Sequence, residues 1–287
     1  MKYLVTGATG TNGRKVVKLL LAAGEQVRAA VRDPDKAKDL ADAGAEVMKF
    51  DFADAASIPK IFDGIDSAFL LTPLPGPGQD PVSDAIAAAK AAGTKHLVRL
   101  SALGAEPDSD LALARAHAAN DQKLKDSGLS WTVIQPTFFM DNFVNFSGDT
   151  IRADGAFYGA AGDGKTAYVS SDDIAAVITE TLRAPDAHNG KVYVLTGPEA
   201  LDNNAAADII GKALGKPVKY ADLEPEQLAA GMKSQGVPDF MVETLVGLEA
   251  VKRNGWAEAT TAAINDVTGN EPQTLAAFMQ ANKARLA

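Results

Sequence analysis

The chain has 287 residues, of which 46% are hydrophobic and 23% charged, an ordinary composition for a folded globular protein. Its net charge of −9 and its lack of any long lysine or arginine run argue against a nucleic-acid partner. The absence of cysteine excludes disulfides, thiolate nucleophiles and cysteine-ligated metal sites. No segment is apolar over the roughly 18 residues that a membrane span needs, and we expect a cytoplasmic protein without a membrane partner.

Short apolar runs alternate with helical patterns through the first half of the chain. The predicted strands cover residues 3–6, 26–31, 46–50, 67–71, 96–101 and 131–135, and the predicted helices cover 12–23, 35–43, 57–62, 80–92 and 111–125. Such alternation produces right-handed βαβ units and a parallel sheet that helices cover on both faces. The sequence therefore predicts an α/β fold with a doubly wound, Rossmann-type parallel sheet.

The pattern changes after residue 135, where phenylalanines occur at positions 138, 139, 143 and 146. Beyond them we predict a loop over 155–164, an extended segment over 166–170, a helix over 171–183 and a strand over 191–195 that returns to the sheet. Further helices are predicted over 205–214, 224–235, 239–252 and 273–283. We expect a first domain of residues 1–135 with the returning strand near 190–196, and a smaller, mostly helical substrate-binding lobe over 136–287.

A glycine-rich turn, Gly-x-x-Gly-x-x-Gly, joins the first predicted strand to the first helix. Gly7 permits the tight turn, Gly10 lets the backbone approach a pyrophosphate, and Gly13 lets the helix pack closely on the strand. The helix N-terminus offers N–H groups and the positive end of its dipole to phosphates. This context predicts a dinucleotide site, since the spacing does not match the phosphate loop of nucleotide triphosphatases. The predicted cofactor-binding residues of the turn are Gly7, Thr9, Gly10, Thr11, Asn12 and Gly13.

The end of the second predicted strand bears on the choice between NAD and NADP. The sequence there is Val31-Arg32-Asp33, and Lys36 follows one helical turn later. An acidic residue at this place often binds the ribose hydroxyls of NAD, whereas an arginine accommodates the 2′-phosphate of NADP. Asp33 could pair with Arg32 or accept a hydrogen bond from a ribose. We predict that NADP(H) is preferred over NAD(H), with Arg32 and Lys36 in the site.

With these motifs the chain resembles the NmrA-like branch of the atypical short-chain dehydrogenases/reductases. Within that branch it looks most similar to NADPH-dependent type 2 quinone oxidoreductases and triphenylmethane-dye reductases. The resemblance runs nearly end to end. Besides the glycine turn, its specific parts are residues 31–33, 50–52, 71–75, 101–102, 117–129, 135–143 and 162–174.

The resemblance implies positions for further cofactor and substrate residues. For the cofactor it implies Asp51 and Phe52 near the adenine, Leu71 and Thr72 beside its middle, Ser101 in the same site, and Pro136, Thr137 and Phe138 at the nicotinamide. For the substrate it implies Pro73, Leu74, Phe139 and Phe143. It favours a reductase without identifying the acceptor.

The predicted helix over 111–125 departs from ordinary short-chain dehydrogenases, which use a Tyr-x-x-x-Lys pair on alcohols and ketones. Leu113 and His117 occupy the matching positions, which disfavours that chemistry. The resemblance implies a histidine at the His117 position in quinone- and dye-reducing relatives. His117 is the catalytic candidate, either bonding the nicotinamide ribose or amide or donating a proton. The alternative is a helix residue whose ring is bonded to backbone or water.

Other polar and aromatic groups allow simpler interpretations. Asp172 and Asp173 resemble paired carboxylates, but helix capping explains them without chemistry. The three histidines show no metal-ligand spacing, and we expect no metal. The phenylalanines after residue 135 form either a flat platform for a planar aromatic substrate or ordinary core, and the sequence leaves both open.

Together these features predict an NADPH-dependent reductase that passes hydride to a quinone, dye or similar electron-poor aromatic small molecule. Such an acceptor takes hydride without a dedicated strong acid, so the protein supplies mainly proximity and orientation. The main alternative is a non-catalytic NAD(P)-sensing regulator of the NmrA type. An epimerase or isoflavone-reductase-like enzyme ranks third, because the expected helix lacks a catalytic tyrosine or lysine.

Overall fold

A computed structural model describes residues 1–73 and 79–286 of the chain, which divides into two compact units. The first unit comprises Met1–Asp108, Ala114–Gln135 and Ser171–Val194. The second comprises Ser109–Leu113, Pro136–Ser170 and Leu195–Ala287. The division of labour between a cofactor domain and a substrate lobe stays a prediction.

In the part of the chain that the structure describes, nine strands form two sheets. They are β1 (Lys2–Thr6), β2 (Gln26–Val31), β3 (Glu46–Lys49), β4 (Ser67–Leu70), β5 (His96–Leu100), β6 (Ser130–Pro136), β7 (Ala156–Gly159), β8 (Lys191–Leu195) and β9 (Lys219–Asp222). The larger sheet has the order β3-β2-β1-β4-β5-β6-β8, and strands β1 to β6 pair in parallel. The predicted doubly wound α/β fold is confirmed, and β8 returns to the sheet as predicted.

The strand order reverses at β1, which lies between β2 and β4. Val5 of β1 is opposite Ala29 of β2 on one side and Phe69 of β4 on the other. At such a reversal the connections leave β1 and β4 toward opposite faces, so a crevice opens at the carboxyl ends of the strands. The glycine turn follows β1 and therefore lies at this crevice.

Fourteen α-helices occur within residues 1–73 and 79–286. They are α1 (Thr11–Ala22), α2 (Lys38–Asp42), α3 (Ile58–Ile61), α4 (Pro81–Ala92), α5 (Ala112–Lys125), α6 (Asp141–Asn145), α7 (Gly148–Asp154), α8 (Ser171–Arg183), α9 (Pro185–His188), α10 (Asn203–Leu214), α11 (Pro225–Ser234), α12 (Asp239–Arg253), α13 (Ala263–Thr268) and α14 (Leu275–Asn282). Short 3₁₀ turns cover Pro34–Ala37, Ala55–Ser57 and Lys283–Arg285. No helix in this part of the chain is long and apolar enough to cross a membrane.

Amphipathic helices cover the sheet of the first unit. α1 buries Val16, Val17 and Leu20, which share one helical face at spacings of three and four residues. α8 belongs to this unit, although it follows the predicted boundary at residue 135. Asp172 in its first turn pairs with Lys15 of α1, their Nζ and Oδ1 atoms being 2.8 Å apart. Asp172 thus links α8 to α1 by an ion pair.

The second unit contains elements that the sequence patterns did not predict. The predicted loop over 155–164 is wrong in part, because β7 occupies its first half and pairs in parallel with β9. The sequence patterns also did not predict α6, α7 and α13. These elements have only four to seven residues, too few for a strand or helix period to emerge.

The aromatic segment after β6 contributes to the core of the second unit. Phe143 is buried, and its ring centroid lies 5.0 Å from that of Tyr168 and 5.3 Å from that of Phe157. Phe138 packs against the same cluster, whereas Phe146 is exposed. For Phe143 the core interpretation is the one that its burial supports.

Candidate functional site

The glycine turn has the geometry that its three glycines were expected to allow. Gly7 adopts φ +61°, a left-handed conformation that favours glycine, and its carbonyl accepts a hydrogen bond of 2.9 Å from the N–H of Gly10. A Cβ on Gly13 would lie 2.3 Å from that same carbonyl oxygen, so only glycine fits there. The turn brings the start of α1 directly against the end of β1.

The start of α1 is left open to a ligand. Gly10 precedes the helix and supplies no side-chain cap to the N–H groups of its first turn. Asn12 is buried, and its Oδ1 has no hydrogen-bond partner among the described residues. Uncapped N–H groups at a helix N-terminus suit a phosphate. The turn therefore fits the pyrophosphate of a dinucleotide.

A cavity of about 340 Å³ opens at the carboxyl ends of β1, β2 and β4. It is lined by Gly7, Thr9, Gly10, Ala30, Val31, Arg32, Phe50, Asp51, Phe52, Leu71, Thr72 and Pro73. The structure thus brings together predicted residues that are spread over more than sixty positions. Ala30 was not singled out from the sequence, and Val31 and Phe50 were named only within segments that carry the family resemblance, without a site role; all three are apolar residues at strand ends, typical of core.

Thr6, which sequence reasoning did not assign to the site, ties β1 to β4 beneath this cavity. Its hydroxyl accepts a hydrogen bond of 2.8 Å from the N–H of Leu71 and lies 3.2 Å from the carbonyl oxygens of Phe69 and Leu71. The side chain is completely buried. Thr6 therefore sets where Leu71, a lining residue, lies relative to the glycine turn.

Arg32 presents an unpaired guanidinium at the cavity. Within residues 1–73 and 79–286 it forms no ion pair or hydrogen bond with a side chain. Asp33 is used elsewhere, since its Oδ1 accepts from the N–H of Asp35 at 3.1 Å and its Oδ2 lies 4.0 Å from Nζ of Lys36. Lys36 is exposed and is not among the lining residues. A permanent cation at the cavity without a carboxylate partner suits a phosphate ligand.

Phe50 and Phe52 form an aromatic wall beside Asp51. Their ring centroids lie 4.5 Å apart in an edge-to-face arrangement. Asp51 accepts a hydrogen bond of 3.0 Å at Oδ1 from the N–H of Ala53, which fixes the loop after β3. This wall offers an apolar surface to a flat ring, in keeping with the predicted adenine position.

Ser101 and His117 belong to a buried polar cluster around Asp121. Ser101 donates a hydrogen bond of 2.7 Å to Oδ2 of Asp121, and Arg99 pairs with Oδ1. Nη2 of Arg99 lies 3.2 Å from Nδ1 of His117. Sequence reasoning missed Arg99 and Asp121. The available signal was a charged residue inside the apolar strand His96–Leu100.

The surroundings of His117 keep its ring neutral. Burial and, second, the positive charge of Arg99 lower the pKa of His117 to about 4, and Asp121 only partly offsets these effects. A histidine with this pKa carries almost no proton to donate at pH 7. The ring can still donate a hydrogen bond.

The remaining predicted residues lie in the second unit or outside the described part. Thr137 donates a hydrogen bond of 2.5 Å to the carbonyl of Ala167, and the ring centroid of Phe138 lies 4.6 Å from Nζ of Lys252. Pro136 ends β6, Phe139 bridges Val169, and Phe143 is core. Leu74 lies outside the described residues. In the described part, no three side chains of His, Asp or Glu are grouped to hold a metal ion.

Comparison with known proteins agrees with this site. A model of the NAD(P)H-binding family matches residues 7–185. An NAD(P)H azoreductase of Xenophilus azovorans is 35% identical over 281 residues, which are 98% of each chain. The structure of an Escherichia coli NADPH-dependent quinone oxidoreductase complexed with NADPH superposes with a TM-score of 0.86 at 32% identity, covering 98% of this chain and 99% of that one.

A second solved structure is that of the Citrobacter triphenylmethane reductase complexed with NADP(H). It superposes with a TM-score of 0.83 at 26% identity, covering 99% of this chain and 100% of that one. These matches confirm the resemblance to NADPH-dependent quinone oxidoreductases and triphenylmethane-dye reductases. The chain belongs to the NAD(P)H-binding family, and it is an NAD(P)H-dependent oxidoreductase.

Proposed function

We propose that this chain is a reductase that uses NADPH in preference to NADH and passes hydride to a quinone, an azo or triarylmethane dye, or a similar electron-poor aromatic. The observation that carries the proposal is the cavity between the glycine turn and the aromatic wall, with the unpaired Arg32 at its side. The azoreductase and the quinone oxidoreductase, both similar over nearly the full chain, support this acceptor class.

The NADPH preference rests on charge at the end of β2. Arg32 has no carboxylate partner among the described residues, and Asp33 is engaged by Asp35 and Lys36. A 2′-phosphate gains a charge-assisted contact with Arg32, whereas the free 2′-hydroxyl of NADH gains much less. Lys36 is exposed and one turn away, and its ammonium, 4.0 Å from Asp33, offsets the carboxylate next to Arg32.

Hydride transfer to these acceptors does not require the protein to supply a strong acid. NADPH, when bound, supplies the hydride. Reduction of a quinone also consumes one proton, and the neutral His117 is a poor source of it at pH 7. Solvent can deliver the proton to the reduced oxygen, because a quinone or a dye cation is electrophilic enough to accept hydride first. The chain binds and orients its two ligands, which is enough to lower the barrier by several kcal/mol.

The direct test is NADPH and NADH oxidation, followed by absorbance, with and without benzoquinones, naphthoquinones, azo dyes and triarylmethane dyes. We expect turnover on the order of 1 to 10³ per second with at least one acceptor, and faster turnover with NADPH. Tight NADPH binding without turnover on any of these acceptors would contradict the proposal and favour the sensor.

Arg32→Gln tests the cofactor preference. Losing a hydrogen bond to a charged group costs about 1.5–3 kcal/mol, which lowers kcat/KM for NADPH roughly 10- to 150-fold and leaves that for NADH nearly unchanged. The matched control is Lys38→Gln, a nearby exposed lysine that pairs with Asp35 and does not line the cavity. An equal loss for both cofactors would refute the role of Arg32 in recognising the 2′-phosphate.

A further inference from the structure

A buried polar cluster lies at the carboxyl end of β5, next to the cofactor cavity. Arg99 of β5 is opposite Leu70 of β4 in the sheet, and Leu71, the next residue, lines the cavity. Arg99 and Asp121 are each only 2% exposed and form an ion pair. This pair is therefore shielded from water at the edge of the site.

Asp121 is held by three donors. Besides Arg99, the hydroxyl of Ser101 donates to its Oδ2 at 2.7 Å, and Nε2 of Gln135 lies 3.3 Å from the same oxygen. With this many donors the carboxylate has a single stable orientation. The guanidinium that it anchors is fixed as well.

The contact between Arg99 and His117 then determines where the imidazole proton lies. A guanidinium has only N–H donors and stays protonated in proteins. The Nδ1 of His117, 3.2 Å from Nη2 of Arg99, must therefore accept. In a neutral imidazole that accepts at Nδ1, the proton resides on Nε2. Nε2 has no hydrogen-bond partner among the described residues and is not one of the buried unpaired atoms, so it is open to a ligand.

We propose that Arg99 and Asp121 are positioning residues that hold His117 as a neutral Nε2–H donor toward an oxygen of the bound ligand. The inference rests on the proposed function, which supplies the ligand. That oxygen belongs either to the cofactor, as a ribose hydroxyl or the carboxamide, or to a quinone-type acceptor. The chemistry is shared by both sources: a neutral oxygen acceptor that takes a hydrogen bond without taking the proton.

A purely structural role explains the cluster less well. A buried ion pair is weak evidence for stability, because desolvation of both charges opposes their attraction. Arg99 also leaves its Nε without a partner in the described part of the chain, which an apolar residue at this strand position would avoid. What the arginine adds, and a leucine would not, is a fixed donor aimed at His117.

Electrostatics agree with a neutral ring. Burial first, and then Arg99, lower the pKa of His117 to about 4, while Asp121 acts in the opposite direction. Arg99 comes from β5 and Asp121 from α5, the helix of His117 itself. The same cation that orients the ring thus also opposes its protonation.

The test is a two-dimensional ¹H–¹⁵N spectrum of the full chain labelled at histidine, in which the two neutral tautomers and the imidazolium have distinct nitrogen shifts. The chain has three histidines, and His117→Gln assigns the signal. We expect a neutral Nε2–H tautomer that persists from pH 7 to pH 5. An Nδ1–H tautomer, or an imidazolium at pH 7, would overturn the proposal.

Variants of the pair separate positioning from structure. Arg99→Lys keeps a donor and should keep the Nε2–H tautomer, whereas the double change Arg99→Leu with Asp121→Leu should yield a mixture of the two neutral tautomers. Arg28→Lys is the matched control, because Arg28 is another buried arginine, paired with Glu46 and far from the cluster in the strand order. If the nitrogen signals of His117 in the double variant are the same as in the control, the positioning role is refuted. If the double variant does not fold, the tautomer of His117 in the wild type still tests the proposal.

Addition of NADP⁺ alone, and then of NADP⁺ with a quinone, identifies the source of the oxygen. A shift of the Nε2 signal with NADP⁺ assigns the cofactor, and a shift only after the quinone is added assigns the acceptor. No shift with either ligand would overturn the donor role. None of these spectra requires turnover. A wrong tautomer of His117 and a lack of reductase activity are therefore distinguishable results.

Discussion

Gly13→Ala places one methyl group where the start of α1 meets the end of β1. The added Cβ would lie 2.3 Å from the carbonyl oxygen of Gly7, 2.8 Å from its carbonyl carbon and 2.9 Å from Cα of Ala8. All three are backbone atoms, so no side chain can rotate away. Relief to a contact near 3.5 Å requires α1 to move by about 1 Å, and overpacking of this kind costs roughly 1–3 kcal/mol.

For a chain of this size the cost corresponds to a fall in Tm of very roughly 2–10 °C. The same shift moves the uncapped N–H groups away from the phosphates, so NADPH should no longer raise the Tm. A ligand at 100 times its Kd stabilises a protein by about 2.7 kcal/mol, which thermal unfolding with and without NADPH detects easily.

Two further glycine-to-alanine variants serve as controls for this measurement. Gly10→Ala brings its Cβ only to 3.3 Å from the Gly7 carbonyl, so it should keep nearly the wild-type Tm but weaken NADPH binding, since Gly10 lines the cavity. Gly231 lies on an exposed helix, and a Cβ there would have no atom within 4 Å. Gly231→Ala should therefore raise the free energy of unfolding by about 0.5–1 kcal/mol. A Gly13→Ala protein with the Tm and NADPH response of the wild type would refute the close-packing argument.

Two other predictions concern the frame around the site. Thr6→Val leaves the N–H of Leu71 without its partner, which should cost about 1–3 kcal/mol in the free energy of unfolding and raise the KM for NADPH; Thr6→Ser, which keeps the hydroxyl, should cost less. His96 is fully buried, and burial lowers its pKa to about 4, so its neutral form is favoured by folding. The free energy of unfolding that His96 contributes should be complete above pH 6.5 and should fall by about 3 kcal/mol between pH 6.5 and pH 4. Urea unfolding over this pH range should show that His96→Gln takes up about one proton fewer on unfolding than the wild type. A Thr6→Val protein as stable as wild type, or an unchanged pH dependence in His96→Gln, would contradict these two arguments.

The first unit was predictable because its signals are local. Apolar strands of four to seven residues, followed by amphipathic helices, repeat in order, and each βα turn fixes its neighbours without long-range information. The cofactor cavity follows from that order, since carboxyl ends of parallel strands share one edge. Gly7, Arg32, Asp51 and Leu71 therefore converge, although they lie on four different loops.

The buried pair Arg99–Asp121 was not predicted because its two residues are far apart in the sequence. Arg99 and Asp121 are 22 positions apart on different elements; Arg99 lies outside the segments that carry the resemblance, and Asp121 lies within one of them without being marked there as a site residue. Only one hint was available: an arginine within an otherwise apolar strand must find a partner when it is buried. The sequence does not indicate which of the many carboxylates provides it. In the second unit, β7 and β9 pair across some sixty residues, again beyond any local pattern.

The neutral state of His117 connects the site to the kind of acceptor it can serve. Carbonyl reduction needs a proton at the oxygen as hydride arrives, because an unprotonated alkoxide is too basic to form freely in water. Leu113 replaces the tyrosine that would supply this proton, and His117, neutral at pH 7, has no acidic imidazolium proton to give. The reduced form of a quinone is a weakly basic phenolate, and a triarylmethyl cation yields a neutral product. Such acceptors need only a hydrogen bond, which the Nε2–H group proposed for His117 supplies. The proposed acceptor class therefore matches the charge arrangement of the buried Arg99–Asp121 pair.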